Sequence, residues 1–235
     1  MPISPPGPGG APQPPRRKVP RPEREAQMIA SAIEVFSKRG YDGASMDEIA
    51  KGAGITKPMV YAYFGSKQGL LAACIDRTAS PMVESFEHDI NRSLPPDEQL
   101  WQGICGYLSF VQQHRQWWSA IYLEAASGAG EPAAAVERVR ASVAAVFSRM
   151  IGEHAQATMP AAQNLLIARA LEPVARAFVG AAEALAAWWL EHPSEERDML
   201  AICLMNLTWR GFEQLTEGRF WLPREGRLGS VGPAG

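Results

Sequence analysis

The segment Ser45–Lys67, SMDEIAKGAGITKPMVYAYFGSK, constrains this chain more than any other stretch. It reads as two short helices around a tight glycine turn. Ser45-Met46-Asp47-Glu48 is a capping box, in which the serine caps the first amides and the glutamate reaches back. Gly52 and Gly54, flanking Ala53, stop that helix almost at once. Ile55 turns inward, Thr56 caps a second helix, and Pro58 is tolerated in its first turn. Gly65 and Ser66 end the second helix near Phe64 and open a long one running from Lys67 to about His88. Two short helices with small, basic and tyrosine side chains outside spell a helix-turn-helix, and imply that the chain reads DNA.

Such a motif needs a core that holds its second helix as a rigid probe. Ile33, Phe36, Ile49, Ala50, Ile55, Val60 and Phe64 are expected to supply it. Ile29, Ile33 and Phe36, with Ala32, give the preceding segment a helical face, and Gly40 provides its left-handed end. Lys57, Pro58, Met59 and Ala62 then point towards base edges. Thr56, Tyr61, Tyr63 and Lys67 are left as donors to phosphates, and Ser45 offers a helix N-terminus to a phosphate oxygen.

The net charge of -2 looks wrong for a DNA binder until it is divided along the chain. Residues 1–70 hold 10 Lys/Arg against 6 Asp/Glu, whereas the remainder holds 13 against 19. A basic front and an acidic back give the two ends different partners. Residues 1–22 contain nine of the nineteen prolines and no acidic residue, so a disordered basic tail is expected there. Its Arg16, Arg17, Lys18 and Arg21 could follow the DNA backbone or enter the minor groove.

The helix-turn-helix part is expected over 23–68, a larger helical part over 69–220, and a loose tail over 221–235. No useful alternating strand pattern occurs, so the fold is expected to be all-α. Helices are expected at about 67–90, 97–113, 115–126, 131–156, 161–191 and 195–218, with Pro173 kinking or splitting one of them. Cys74, Cys105 and Cys203 sit in apolar helical patterns, which suggests reduced core thiols. Apolar runs too short for a bilayer and an N-terminus without a signal core lead to the expectation of a soluble, cytoplasmic chain.

Ile49-Ala50, Ala53-Gly54-Ile55-Thr56-Lys57, Tyr61-Ala62-Tyr63-Phe64, Ser66-Lys67 and Leu70-Leu71 together resemble the TetR family of transcriptional regulators. Ala32, Phe36, Gly40 and Tyr41 fit that family's first helix and turn. The resemblance is specific over about residues 25–75 and architectural beyond them. It implies a three-helix DNA-binding domain joined to a helical domain that binds a small effector and dimerises. By position it gives phosphate contacts to Thr56, Tyr61, Tyr63 and Lys67, and base contacts to Lys57, Pro58, Met59 and Ala62. Gln68-Gly69 departs from the acidic, helix-favouring residues usual after that lysine, which loosens the start of the linking helix. Met59 and Ala62 hydrogen-bond poorly, so base readout rests on Lys57 and on apolar contact with thymine methyls.

All seven tryptophans lie in the C-terminal part. Trp101, Tyr107, Phe110, Trp117, Trp118, Tyr122 and Phe147, with His114, are expected to line a pocket for a flat, apolar or aromatic effector. Gln102, Gln113, His114 and Glu124 are candidates for its polar handle. Phe178, Ala182, Leu185 and Trp189 on one late helix, and Ile202, Met205, Trp209 and Phe212 on the next, are expected to form a four-helix homodimer interface. Two reading heads one helical turn apart suit a palindromic operator.

Within the family, repression with effector release is the expected mode and activation the alternative. The long helix from Lys67 is the natural lever. A helical interaction protein with a vestigial helix-turn-helix is the competing class outside regulation. Catalysis finds no support: the four histidines lack ligand spacing, and there is neither a nucleophile elbow nor a phosphate loop. No cofactor, metal or membrane partner is expected.

Overall fold

The computed structural model describes residues 20–158 and 161–216, and among them every regular element is a helix. The first, α1 (Arg21–Gly43), begins earlier than expected, with Pro20 at its N-cap and Pro22 in its first turn. Proline is accepted there because the missing amide has no intrahelical partner and φ is already helical. Arg21 and Pro22 are thus helical rather than part of the tail. Residues 1–19 and the tail from 221 lie outside the described residues. Met28, Ile29, Ala32, Val35 and Phe36 form the buried face of α1. Gly40, at φ 70°, interrupts it and lets Tyr41 stack on Phe36, ring centres 6.0 Å apart.

The next helices are α2 (Met46–Gly52), which packs on α1, and α3 (Lys57–Phe64), which packs on α2 and α4. Ile49, Ala50, Val60 and Phe36 are buried as expected, while Ile33, Ile55 and Phe64 are half-buried. The capping box forms in one direction only. Ser45 Oγ accepts the Asp47 amide at 3.2 Å, but the Glu48 carboxylate turns to Arg39 at 3.6 Å.

Gly65 closes α3 at φ 72°, and Ser66 Oγ accepts the Gly69 amide at 2.8 Å to open α4 (Lys67–His88). Beyond it lie α5 (Pro96–Gln113) and α6 (Arg115–Trp117), which passes through a wide π turn, Trp118–Tyr122, into α7 (Leu123–Ser127). The expected single helix over 115–126 is therefore distorted in its middle. The wider turn brings Trp118 and Tyr122 face to face, ring centres 4.0 Å apart. Then follow α8 (Glu131–Thr158), α9 (Ala161–Glu191) and α10 (Arg197–Thr216). Helix α9 runs on through Pro173 without splitting, and α4 carries a proline of its own, Pro81. Cys74 is buried, which pushes its thiol far above the usual range, but Cys203 is exposed and no core thiol.

The most extensive helix pairing is α4 on α8. Asp76 meets Arg138 at 2.7 Å and Glu87 meets Arg149 at 2.6 Å, each pair 62 residues apart in sequence. Gly69 faces Glu131 with the same offset. The two helices therefore run parallel in one fixed register for about three turns beyond Asp76. Such exposed pairs add little stability; the buried side chains of α4, among them Leu70, Ile75 and Phe86, provide it.

Gly69 is the tightest point of this arrangement. A Cβ there would stand 2.2 Å from the Phe64 carbonyl oxygen and 3.0 Å from Glu131 Oε2. The glycine that departs from the family pattern therefore lets α4 pass under the end of α3. Gly69→Ala is expected to destabilise the fold by about 1–3 kcal/mol through overpacking, lowering Tm by about 2–4 °C per kcal/mol. An unchanged thermal unfolding curve would contradict this packing.

Candidate functional site

Val60 anchors α3 inward, so its first turn and outer face are left to solvent. Ser45, Thr56, Lys57, Pro58, Tyr61 and Ala62 are exposed, whereas Met59, Tyr63 and Lys67 are half-covered. Thr56 stands at the N-cap of α3 but makes no side-chain cap bond, which leaves its hydroxyl for another partner. Lys57 is not idle: its Nζ donates to Asp47 Oδ2 at 2.8 Å, and that hydrogen bond raises its pKa. DNA would have to draw it from Asp47. Lys67 Nζ lies 4.6 Å from the centre of the Tyr41 ring and 3.4 Å from the Asp42 carbonyl oxygen, so it is held by the end of α1.

The start of α1 joins this surface. The Arg21 guanidinium lies 5.4 Å from the centre of the Tyr63 ring, and Arg24 Nη1 reaches Met59 Sδ at 3.7 Å. Sequence reasoning placed Arg21 in the tail and passed over Arg24, because nothing local shows that α1 begins beside α3.

A second site lies deeper. A cavity of about 80 Å3, walled mainly by apolar side chains and partly open, is bounded by α4, α5, α8, α9, α10 and the π turn. The stripe Gln99, Gly103 and Tyr107 on α5 runs along it, a length of about 12 Å at the helical rise. Of the eight expected lining residues, Tyr107, Trp118, Tyr122 and Phe147 are there. Phe110 and His114 face a separate groove, Trp117 is packed into the core, and Trp101 falls off the α5 stripe.

One part of the cavity wall is polar. Glu183 accepts from the Tyr122 hydroxyl at 2.8 Å and from Arg140 Nε and Nη2 at 3.1 and 2.7 Å. Burial, reinforced by the Glu183 charge, pushes the Tyr107 and Tyr122 hydroxyls above the usual phenol range, so both remain donors. The Tyr107 hydroxyl and Trp118 Nε1 are buried and without hydrogen-bond partners. Unmatched buried donors are costly, and here they belong to the wall of a cavity. The expected handles Gln102 and Glu124 are exposed elsewhere, and Gln113 and His114 lie at the outer groove. Arg140 and Glu183 were missed. Their signal was a single charge of opposite sign on the apolar face of each of two successive helices.

The expected interface residues divide. Ala182, Trp189 and Phe212 are buried inside the chain's own core, where Phe212 and Phe178 pack on Phe147. Leu185, Met205 and Trp209 are half-buried. The apolar side chains left to solvent are Trp188 and Met199 with Ile202, at 52% exposure, and Leu207, at 72%. Among the described residues no helix is long and apolar enough to cross a membrane, and no cluster of three or more His, Cys, Asp or Glu could hold a metal.

Comparison with known proteins agrees with this layout. The profile of bacterial regulatory proteins of the tetR family matches residues 28–74, and that of a tetracyclin repressor-like C-terminal domain matches residues 96–211. The HTH-type transcriptional activator FasR of Mycolicibacterium smegmatis is 32% identical over 105 residues, 45% of this chain and 48% of FasR. Alignments with such curated relatives thus span about half of their length or less. Among solved structures, a TetR-like transcriptional regulator from Rhodococcus sp. RHA1 is 35% identical, with a TM-score of 0.59, over 83% of this chain and 99% of that one. A tetR-family regulator from Streptomyces coelicolor is 28% identical, with a TM-score of 0.65, over 85% and 89% of the two chains. With two family profiles in tandem and a 35% identical relative matched over nearly its whole length, this chain belongs to the TetR family of transcriptional regulators.

Proposed function

We propose that the chain binds a palindromic DNA operator as a homodimer and leaves it when a small, largely apolar effector occupies the cavity. The observation that carries this reading is the double membership of α4. The helix opens with Lys67 under the reading helix and ends with Met82 and Phe86 in the cavity wall. An effector that favours one seating of α4 lowers DNA affinity by its differential binding energy, and DNA weakens the effector equally.

At the DNA surface, Ser45, Thr56, Tyr61, Tyr63 and Lys67 contact phosphates. Lys57 reads guanine acceptors, and Pro58, Met59 and Ala62 touch bases through apolar contact. The effector presents a hydrogen-bond acceptor to Tyr107 and Trp118. The dimer forms through the exposed apolar residues of α9 and α10, with Leu185, Met205 and Trp209 at their flank. Exposed Trp188, Ile202 and Leu207 are what such a partner would cover.

Repression is the primary reading. Activation is the second, because FasR, a relative, is named an activator. In vitro transcription from the chain's own promoter, with and without the protein, separates the two.

A gel shift with that promoter fragment tests the DNA surface. Lys57→Ala is expected to weaken the preferred site by roughly 10–100-fold and to relax its preference. Lys67→Ala is expected to weaken all sequences alike and to reduce the salt slope by about 1. Unchanged preference in Lys57→Ala removes that residue as a base reader. For the dimer, Ile202→Arg with Leu207→Arg is expected to give a folded monomer by light scattering, with operator affinity lost. A dimer that persists in that variant places the interface elsewhere.

A further inference from the structure

Met82 and Phe86 face two spaces at once. On one side is the inner cavity; on the other is a groove of about 460 Å3 between α4, α5 and Ile33 of α1. These two side chains are the partition between them. Methionine is unbranched and easily repacked. The Phe86 ring rests against α5 at Gly106, where an added Cβ would stand 3.4 Å from Phe86 Cε1. The wall is thus made of one adaptable chain and one ring seated over a glycine.

The groove differs in chemistry from the cavity. Arg77 is its charged residue, and no carboxylate is among the side chains lining it. Among the described residues Arg77 makes no ion pair, and the buried Thr78 hydroxyl has no partner. Pro81 lacks the amide that the Arg77 carbonyl would otherwise accept one turn later. On the α5 side, Ser109 Oγ already receives Arg197 Nη1 at 3.1 Å, and that arginine is itself paired with Asp198 at 2.7 Å, so Arg77 is the cation left to the groove. An apolar chamber therefore adjoins a groove that carries one unpaired cation, Arg77, and one unsatisfied hydroxyl, Thr78, across two movable side chains.

Building on the effector reading above, we propose that the effector is an anionic amphiphile lying across this partition. Its largely apolar tail occupies the inner cavity, with a single hydrogen-bond acceptor against Tyr107 and Trp118, and its negatively charged head lies in the groove beside Arg77 and Thr78. Binding turns Met82 and Phe86 aside. Because the groove also includes Ile33 of α1, the head group touches the DNA-reading part directly while the chain props α4 from behind. A neutral apolar compound fills only the chamber, and a small hydrophilic anion gains nothing from it.

The test compares decyl phosphate, kept below its micellar concentration, with 1-decanol on the full chain, using tryptophan fluorescence because Trp118 lines the chamber. Decyl phosphate is expected to bind more tightly than 1-decanol. Arg77→Gln, at an exposed position, is expected to weaken decyl phosphate about tenfold, the worth of one charge-assisted contact, and to leave 1-decanol unchanged. Thr78→Val should weaken decyl phosphate in the same direction. Equal affinity for the two compounds, or equal loss of both in Arg77→Gln, overturns the amphiphile assignment, as does failure of decyl phosphate to bind. A gel shift of the promoter fragment without either compound reports the DNA-binding reading separately, so the two can fail independently.

Discussion

The seating of α4 on α8 is the constraint on which the rest depends. The two helices run parallel with an offset of 62 residues, repeated at Asp76–Arg138 and Glu87–Arg149 and matched where Gly69 meets Glu131. A glycine at the first contact lets α4 pass beneath the last carbonyl of α3, so the reading helix rests on the same rod that closes the cavity. Slippage by one residue would break every one of these contacts together. The pair therefore moves as a unit or tilts, which gives a small change at Met82 and Phe86 a route to Lys67.

The cavity is built against stability. Tyr107 and Trp118 carry buried donors without partners, and the nearby Arg140–Glu183 pair is shielded, with side-chain exposures of 27% and 12%. Replacing such groups by apolar ones of similar shape is often neutral or favourable to a fold. Their retention around a void is consistent with a ligand that completes them. The π turn belongs to the same wall, and its widened geometry holds Trp118 flat against Tyr122.

The helix-turn-helix was legible because its code is local. Gly65, the Ser66 cap and the exposed face opposite Val60 all lie within a few residues of what they shape. Even there, Glu48 left its expected capping role because Arg39 reached it from α1. What stayed hidden needs the mutual orientation of distant helices. Tyr122, Arg140 and Glu183 meet across three elements, and the Met82–Phe86 partition exists only once α1, α4, α5 and α8 are packed. On α10, periodicity could not decide between two apolar faces: Leu200, Leu204 and Phe212 went inward, while Ile202 and Leu207 stayed outside.

The most direct test of the central claim, that α4 links cavity to reading head, is a distance between the two heads of the proposed dimer. Pulsed dipolar spectroscopy would use nitroxides at Lys38→Cys, an exposed position of α1 outside the proposed DNA contacts, with Cys105 and Cys203 replaced by serine. With operator DNA, one narrow distribution is predicted, set by successive major-groove contacts about 34 Å apart. With decyl phosphate and no DNA, the distribution should move to a different centre. Identical distributions in the two states would contradict the account.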